Sequence, residues 1–268
     1  MPQPVSVETV IEILRALRAR RPLVHCMTNQ VVKNFTANVL LAVGAAPAMV
    51  EHAEEAVEFA AMADALLINV GTLDEAQREA MRRAVPSAVA AGKPWVLDPV
   101  AAGPLGVRTR FVRELLPLRP ALVRGNASEI IACAGEGGRG RGVDSGDPAE
   151  AALAAGRVLA RVTGGAVLIT GETDYALDQG SSVHACRNGH VLLTRVTGVG
   201  CAQGALAAAC AAVSPTPLTA AVAAAVLMAV AGEQAARRAS SPGSFAVALL
   251  DALDQLDPAA LRAETRLA

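Results

Sequence analysis

Residues 65–100 read ALLINVGTLDEAQREAMRRAVPSAVAAGKPWVLDPV, and the order of apolar and polar residues here indicates the fold class. Two short apolar runs, Ala65 to Gly71 and Trp95 to Val100, flank a longer segment from Asp74 to Ala91 that has the apolar spacing of an amphipathic helix. Short continuous apolar runs are typical of strands buried on both faces, and a helix between two such strands makes a right-handed crossover. The stretch therefore predicts a βαβ unit of a parallel sheet.

The same alternation continues in both directions along the chain. Further predicted strands span Leu23 to Cys26, Pro47 to Val50, Ala121 to Gly125 and Ala166 to Gly171. The predicted helices between them span Phe35 to Val43, Glu54 to Ala63, Arg108 to Leu116, Ser128 to Ala134 and Pro148 to Val162. This alternation predicts an α/β fold with a mostly parallel central sheet and helices on both faces. With 268 residues, 53% of them apolar, we expect a single domain over residues 1–268.

The pattern changes after Gly171. Two strand-like runs, Ser182 to Arg187 and His190 to Val196, are separated by Asn188-Gly189, which predicts a hairpin with a type I′ turn at an antiparallel edge of the sheet. Three predicted helices follow: Cys201 to Val213, Leu218 to Ala239 and Ser244 to Leu256. The segment from Gly135 to Asp147 is rich in glycine and charge, so we expect a loop there.

The composition argues against several classes of protein. The formal net charge is -1, so the chain lacks the basic surface that nucleic-acid binding requires. Five cysteines without CxxC spacing indicate neither a disulfide framework nor a zinc site, and they predict a reducing, cytoplasmic location. The apolar stretch from Leu218 to Gly232 is shorter than the roughly 20 residues that span a bilayer. We therefore expect a buried helix there and no membrane association.

Polar, glycine-flanked residues recur where the predicted strands end. They are His25 to Asn29, Asn69-Val70-Gly71, Asp98-Pro99, Arg124-Gly125-Asn126 and Thr170-Gly171. Open parallel sheets bind ligands in the crevice beyond the carboxyl ends of their strands, so the coincidence of five favours a binding site at this rim. Each segment alone could also be an ordinary turn or helix cap.

The segment Thr197-Gly198-Val199-Gly200-Cys201 follows the last predicted strand and opens a long apolar helix at Cys201. Its two glycines allow successive N–H groups to point at one site, and the helix N-terminus adds positive potential there. The segment predicts an anion hole. The alternative is a glycine-rich turn followed by a buried structural cysteine.

Two acidic residues near the rim are candidates for the shell of a hydrated Mg²⁺. Glu129 lies one helical turn after Asn126, and both side chains present oxygen. Alternatively, Asn126 caps the following helix and Glu129 reaches back to it. Asp98 ends a predicted buried strand, where it either orders magnesium-bound water or caps a turn. The residues themselves leave both alternatives open.

Taken together, the motifs resemble those of hydroxyethylthiazole kinases, a branch of the ribokinase-like enzymes. The resemblance extends from about residue 22 to about residue 213, and it is carried by VHCMTN (24–29), NFTAN (34–38), GAAPAM (44–49), LDPVAAG (97–103), RGNASE (124–129), TGETDY (170–175) and TGVGC (197–201). Other ribokinase-like enzymes have Asp where Cys201 stands. The cysteine therefore points to the thiazole kinase branch.

The resemblance implies an activity, ATP-dependent phosphorylation of the hydroxyl group of a hydroxyethylthiazole in thiamine salvage, with Mg²⁺. It implies a homotrimer with active sites at the subunit interfaces. It also implies roles for seven residues: Met49 and Gly198 at the thiazole alcohol, Arg124 and Thr170 at ATP, Glu129 and Asp98 in the magnesium shell, and Cys201 at the catalytic position.

This sequence departs from the family pattern in two places. Val199 stands where threonine is usual, which removes a hydroxyl beside the expected phosphates, and the usual Cys-Met-Leu is Cys-Ala-Gln at residues 201–203. We expect Cys201 to act as a modest base, its pKa lowered by the helix terminus. The alternatives are a hydroxymethylpyrimidine kinase, an ATP-dependent dehydratase of hydrated nicotinamide cofactors, a transferase with Cys201 as nucleophile, and a nucleotide-binding module without chemistry.

Overall fold

The strands of the protein form one mixed sheet, described from a computed structural model that covers residues 5–135 and 149–268. In chain order they are β1 (Leu23–Met27), β2 (Ala46–Ala48), β3 (Ala65–Asn69), β4 (Trp95–Asp98), β5 (Leu122–Asn126), β6 (Ala166–Thr170), β7 (Asp174–Leu177) and β8 (Val183–Cys186). Their order across the sheet is β2-β1-β3-β4-β5-β6-β7-β8. The pairs from β2 to β6 are parallel, and β7 and β8 form an antiparallel edge. The predicted α/β fold class is confirmed.

Helices cover both faces of the sheet. They are α1 (Val7–Arg20), α2 (Lys33–Val43), α3 (Ala53–Met62), α4 (Glu75–Ala90), α5 (Gly106–Leu115), α6 (Ala127–Cys133), α7 (Leu153–Thr163), α8 (Val199–Val213), α9 (Pro217–Arg238), α10 (Pro242–Gln255) and α11 (Pro258–Glu264). Helices α1, α2 and α8 to α11 bury one core, and α3 to α7 bury the other. In β3, Leu67 faces the first core and Leu66 and Ile68 face the second, because alternate side chains of a strand point to opposite faces. This double burial explains the continuous apolar runs of the sequence.

Helix α9 belongs to the interior of the protein. Within the described ranges it is the one helix long and apolar enough to cross a membrane, and 83% of its most apolar window is buried among other elements. That burial agrees with the buried helix expected from Leu218 to Gly232.

The prediction of a hairpin around Asn188-Gly189 is wrong. Strand β8 pairs with β7, which precedes it, and Val191–Arg195 is a short 3₁₀ helix where the second strand was expected. The other edge of β8 is occupied by residues 266–268: Ala185 N–H donates to the Ala268 carbonyl at 2.8 Å, and Ala268 N–H donates back at 2.9 Å. A contact from the far end of the chain therefore overrides the local turn signal.

The side chain of Asn188 holds that distant segment in place. Its Oδ1 accepts from the Arg266 N–H at 2.6 Å, and its Nδ2 donates to the Glu264 carbonyl at 2.8 Å. Asn188 thus ties the end of α11 to the loop after β8 instead of forming a hairpin turn.

Two further differences concern helices, and one prediction is not tested. Helix α8 begins at Val199, two residues earlier than expected, and it follows the 3₁₀ helix, not a strand. Helix α11, capped by Asp257 at the Ala260 N–H, is an additional helix after the three predicted ones. The loop expected from Gly135 to Asp147 lies, apart from Gly135, outside the described residues.

Candidate active site

A chain of polar side chains joins the ends of three strands to helix α8. Asn29, just after β1, donates from Nδ2 to Oδ1 of Asn69 at 3.1 Å and to Sγ of Cys201 at 3.3 Å. Asn69, at the end of β3, donates from its own Nδ2 to Oδ2 of Asp98 at 2.7 Å. The structure therefore brings two predicted residues, Cys201 and Asp98, into one network.

The sheet itself creates this proximity. Asn69 and Asp98 are register partners in the parallel pair β3 and β4, and Asn126 and Thr170 are partners in β5 and β6. Parallel strands end at the same edge of a sheet, so polar residues at their last positions collect there. The sequence places an apolar residue at nearly every earlier position of these strands.

The first turn of α8 lies above the same edge. Gly198 precedes it with φ 96°, and a Cβ at this position would stand 2.9 Å from Cγ1 of Val32. Both the backbone angle and the close approach therefore require glycine. N–H groups in the first turn of a helix have no acceptor within the helix, and the helix dipole gives them positive potential. The arrangement can receive an anion, as the sequence predicts.

Gly200 provides room for the side chain of Arg124. A Cβ at Gly200 would stand 3.0 Å from Nη2 and 3.1 Å from Nη1 of Arg124. The guanidinium group therefore lies directly against the first turn of α8. An arginine and a helix N-terminus side by side form a strong site for phosphate groups.

Cys201 is largely buried beside Asp98, and this environment corrects one expectation. Burial and the nearby Asp98 carboxyl together raise the pKa of the Cys201 thiol to about 11, against the opposing effects of the Asn69 and Asn29 amides and the Arg124 guanidinium. The expectation of a lowered pKa is wrong, because desolvation outweighs the groups that favour the thiolate. The thiol is therefore neutral near pH 7.

Asp98 is fully buried, and its surroundings shift the pKa of its carboxyl in opposite directions. Burial raises the pKa of Asp98 to about 7, Arg124 opposes the rise, and Glu129 adds to it. Nη1 of Arg124 lies 4.0 Å from Oδ2 of Asp98. Oδ1 has no hydrogen-bond partner within the described part of the chain. A buried carboxylate oxygen without a donor fits a water molecule from a magnesium shell.

Glu129 completes a capping box at the start of α6. Its Oε2 accepts from the Asn126 N–H at 2.9 Å, and Asn126 Oδ1 accepts from the Glu129 N–H at 3.0 Å. Its Oε1 accepts from the Ala101 N–H at 2.9 Å. The capping alternative is thus realised, and each oxygen keeps a second lone pair for another donor or cation. Within residues 5–135 and 149–268, no group of three or more His, Cys, Asp or Glu side chains is arranged to hold a metal directly.

A cleft of about 810 Å³ opens next to Arg124. Thr170 and Gly200 line it together with Arg124, and further lining comes from residues 188–191, 193 and 194 and from Met228 and Ala229 of α9. The structure thus brings the two residues expected at ATP to one cavity beside the N-terminus of α8. Met49 is not among the lining residues; it follows β2 and packs, partly buried, against the first core.

Two residues of this cleft were missed from the sequence as site residues. Gln203 and Asp174 line the wall beside Arg124 and are hydrogen-bonded to each other at 3.1 Å. A signal existed for Gln203, because it is the one strongly polar residue in the apolar helix α8.

Comparisons with known proteins agree with this geometry. Residues 14–259 match the hydroxyethylthiazole kinase family. The hydroxyethylthiazole kinase of Granulibacter bethesdensis is 56% identical over 259 residues, which cover 97% of this chain and 94% of that protein. A solved structure of a hydroxyethylthiazole kinase protein from Pyrococcus horikoshii OT3 has a TM-score of 0.89 and 42% identity over 97% of this chain and 98% of that chain.

A more distant similarity concerns the fold alone. A ribokinase-like superfamily protein from Enterococcus faecalis V583 has a TM-score of 0.66 at 12% identity, covering 94% of this chain and 95% of that chain. The resemblance predicted from the motifs and the ribokinase-like fold are both confirmed. The chain therefore belongs to the hydroxyethylthiazole kinase family.

Proposed function

We propose that this protein transfers the γ-phosphoryl group of ATP to the hydroxyl group of a hydroxyethylthiazole, a step of thiamine salvage. The acceptor is supported by the name of relatives that are 56% identical over nearly the whole chain. The observation that carries the reaction type is the Arg124 guanidinium against the first turn of α8, at the wall of a cleft of about 810 Å³. We propose that residues 1–268 act as one kinase domain.

The nucleotide occupies the cleft in this proposal. Its phosphates lie at the Gly200 end, where the N–H groups of α8 and Arg124 neutralise their charge, and Thr170 borders the same wall. Phosphoryl transfer passes through a loose transition state, so alignment and charge neutralisation supply most of the catalysis. Val199 contributes only its backbone N–H, because its side chain has no hydroxyl.

The acceptor alcohol lies on the other side of the first turn of α8, near Gly198 and Met49. Cys201 stands between the two substrates, where its neutral thiol contacts the attacking hydroxyl. Asn29 donates to the sulfur at 3.3 Å and so fixes the thiol in position. The hydroxyl proton leaves late in such a transition state and passes to an oxygen of the transferred phosphoryl group, because the neutral thiol cannot accept it.

Asp98 and Glu129 would hold the magnesium ion through its bound water molecules. The buried, unpartnered Oδ1 of Asp98 and the remaining lone pairs of Glu129 support this assignment. When bound, the ion neutralises charge on the nucleotide phosphates. The residues of this chain orient the surrounding water.

Self-association and location complete the proposal. We propose a homotrimer with interfacial active sites, in the cytoplasm. Three large apolar side chains that precede or follow the edge strand β2 in the chain are between 56% and 70% exposed: Val31, Leu41 and Met62. The five free cysteines fit a reducing compartment.

An assay of ATP-dependent ADP release tests the proposal. We expect turnover with hydroxyethylthiazole, little with hydroxymethylpyrimidine, and a mass gain of one phosphoryl group on the thiazole product. Preferential turnover of the pyrimidine alcohol would assign the chain to a different kinase. Trapping of a covalent Cys201 adduct without ATP would instead favour a transferase with a cysteine nucleophile.

A further inference from the structure

Gln203 bridges two charged residues at the wall of the cleft. Its Oε1 accepts hydrogen bonds from Nε and Nη2 of Arg124 at 3.2 and 3.0 Å, and its Nε2 donates to Oδ2 of Asp174 at 3.1 Å. A carboxamide suits this position, because a guanidinium group only donates and a carboxylate only accepts. Gln203 is only 5% exposed, so solvent does not compete for these bonds.

The bridge continues to the end of β6. Oδ1 of Asp174 accepts from the Gly171 N–H at 3.0 Å, so Asp174 is anchored on one side by backbone and on the other by Gln203. Gly171, Asp174, Gln203 and Arg124 all line the cleft. A continuous hydrogen-bond chain therefore connects the rim of the sheet with the first turns of α8.

This series of hydrogen bonds determines how the Arg124 guanidinium faces the cleft. Two of its five donor hydrogens are directed at Gln203, which fixes the plane of the group. Gly200 leaves the space in which that plane lies, with Nη1 and Nη2 within 3.1 Å of the position of a Cβ. Nη1, which lies 4.0 Å from Oδ2 of Asp98, and the second hydrogen of Nη2 are not directed at Gln203 and can face a ligand beside the helix terminus.

We propose that Gln203 is a positioning residue that orients Arg124 toward the nucleotide phosphates. The inference rests on the proposed function, since it takes the cleft as the nucleotide site.

Substitution of Gln203 by apolar residues tests the proposal. Gln203→Leu and Gln203→Met each remove all three hydrogen bonds of the carboxamide at similar volume. We expect kcat/KM for ATP to fall about ten-fold, the equivalent of one hydrogen bond to a charged group, and KM for the thiazole alcohol to change less than about two-fold. In an Arg124→Ala background, Gln203→Leu is expected to cause no further loss.

A charge exchange distinguishes positioning from a merely structural role. Gln203→Glu alone keeps the acceptor for Arg124 but opposes Asp174, so we expect impaired turnover. The additional substitution Asp174→Asn supplies an amide that can donate to the carboxylate introduced by Gln203→Glu. We expect kcat/KM for ATP in the double variant to return to within about three-fold of the wild type. Gln234→Met, at a buried glutamine of α9 outside the cleft, is the matched control and keeps wild-type kinetics.

Unchanged kcat/KM for ATP in both apolar variants, no rescue in the double variant, or an equal loss in the Arg124→Ala background would overturn the proposal. If the proposed function is wrong, the wild-type protein itself will have no kinase activity. This outcome is distinct from failure of the positioning role. In that event the dissociation constant of AMP-PCP, measured by calorimetry, replaces kcat/KM. The same ten-fold weakening by Gln203→Leu is then expected, and unchanged affinity would overturn the proposal.

Discussion

The amide Nδ2 of Asn29 lies 3.3 Å from the sulfur of Cys201, although 172 residues separate them in the chain. The same amide donates to Asn69, which donates in turn to Asp98. One nitrogen thus links the end of the first strand, the proposed magnesium residue and the sulfur at the start of α8. The position of Cys201 is therefore set by the ends of the sheet strands as well as by its own helix.

Replacing Cys201 tests the role of its thiol. Because burial raises the pKa of Cys201 to about 11, the thiol is neutral and contributes little as a base at neutral pH. We predict that Cys201→Ala lowers kcat about ten-fold, less than the roughly 100- to 10,000-fold effect of a general base. Cys210→Ala, at a buried cysteine of the same helix, is the control. A loss greater than about 1,000-fold would establish Cys201 as an essential base.

Gly198→Ala tests the shape of the anion-binding turn. The variant must place a Cβ 2.9 Å from Val32 at φ 96°, which moves the first turn of α8. We predict a loss of kcat/KM of about 100-fold, since small displacements of positioning groups have effects of this size. Gly92→Ala has φ 68° with open space around its Cβ, so it isolates the cost of the backbone angle. Wild-type turnover by Gly198→Ala would contradict the proposed site.

Asp98→Asn is predicted to change the pH dependence of stability in magnesium-free buffer. Burial raises the pKa of Asp98 from its ordinary value of 3.8 to about 7, with Arg124 opposing and Glu129 adding to the rise. Between these pH values the folded state binds more protons than the unfolded state, so the wild type loses stability as pH rises. The asparagine variant lacks this loss. Its Tm relative to the wild type is therefore expected to increase from about pH 4 to about pH 8.

Thermal unfolding across that range measures the effect. If the Tm difference between Asp98→Asn and the wild type stays constant with pH, burial does not raise the pKa of Asp98. Asp257→Asn, at an exposed cap of α11, is the control, and we expect no such increase of the Tm difference with pH.

Glu129→Gln separates the two functions suggested for this side chain. The amide has one acceptor oxygen for the N–H groups of Ala101 and Asn126, so one buried donor loses its partner. We predict a loss of roughly 1–3 kcal/mol in the free energy of unfolding. If Glu129 also orders magnesium-bound water, the Mg²⁺ concentration for half-maximal activity rises several-fold.

Ser128→Ala is the control for Glu129→Gln, since it perturbs the same cap without changing a carboxylate. Chemical denaturation gives the stability and a Mg²⁺ titration gives the metal dependence. Destabilisation with an unchanged Mg²⁺ titration would leave Glu129 with the capping role alone.

Much of the sheet could be predicted because its strands are buried on both faces. The continuous apolar runs from Leu23 to Gly171 report that environment directly, and polar residues such as Asn69 and Asp98 mark the points where burial between helices ends. The positions of these strand ends follow from the parallel register. The residues at the rim of the site could therefore be predicted from the sequence.

The remainder depends on contacts between distant parts of the chain. The Asn188-Gly189 signal was misread because residues 266–268 occupy the edge of β8. The pKa of Cys201 was predicted in the wrong direction because the desolvation around it comes from packing, which a helix-terminus argument does not include. The bridge from Gln203 to Arg124 spans 79 residues and has no local pattern.

We propose that the N-terminus of α8 binds the γ-phosphoryl group of the nucleotide. A crystal structure with AMP-PCP, Mg²⁺ and hydroxyethylthiazole tests this binding most directly. We predict that the γ-phosphoryl oxygens lie within hydrogen-bond distance of the N–H groups of Gly200 and Cys201 and of the Arg124 guanidinium, with the alcohol beside Cys201. A triphosphate bound elsewhere, with this helix end facing only solvent, would contradict the proposed site and the reaction built on it.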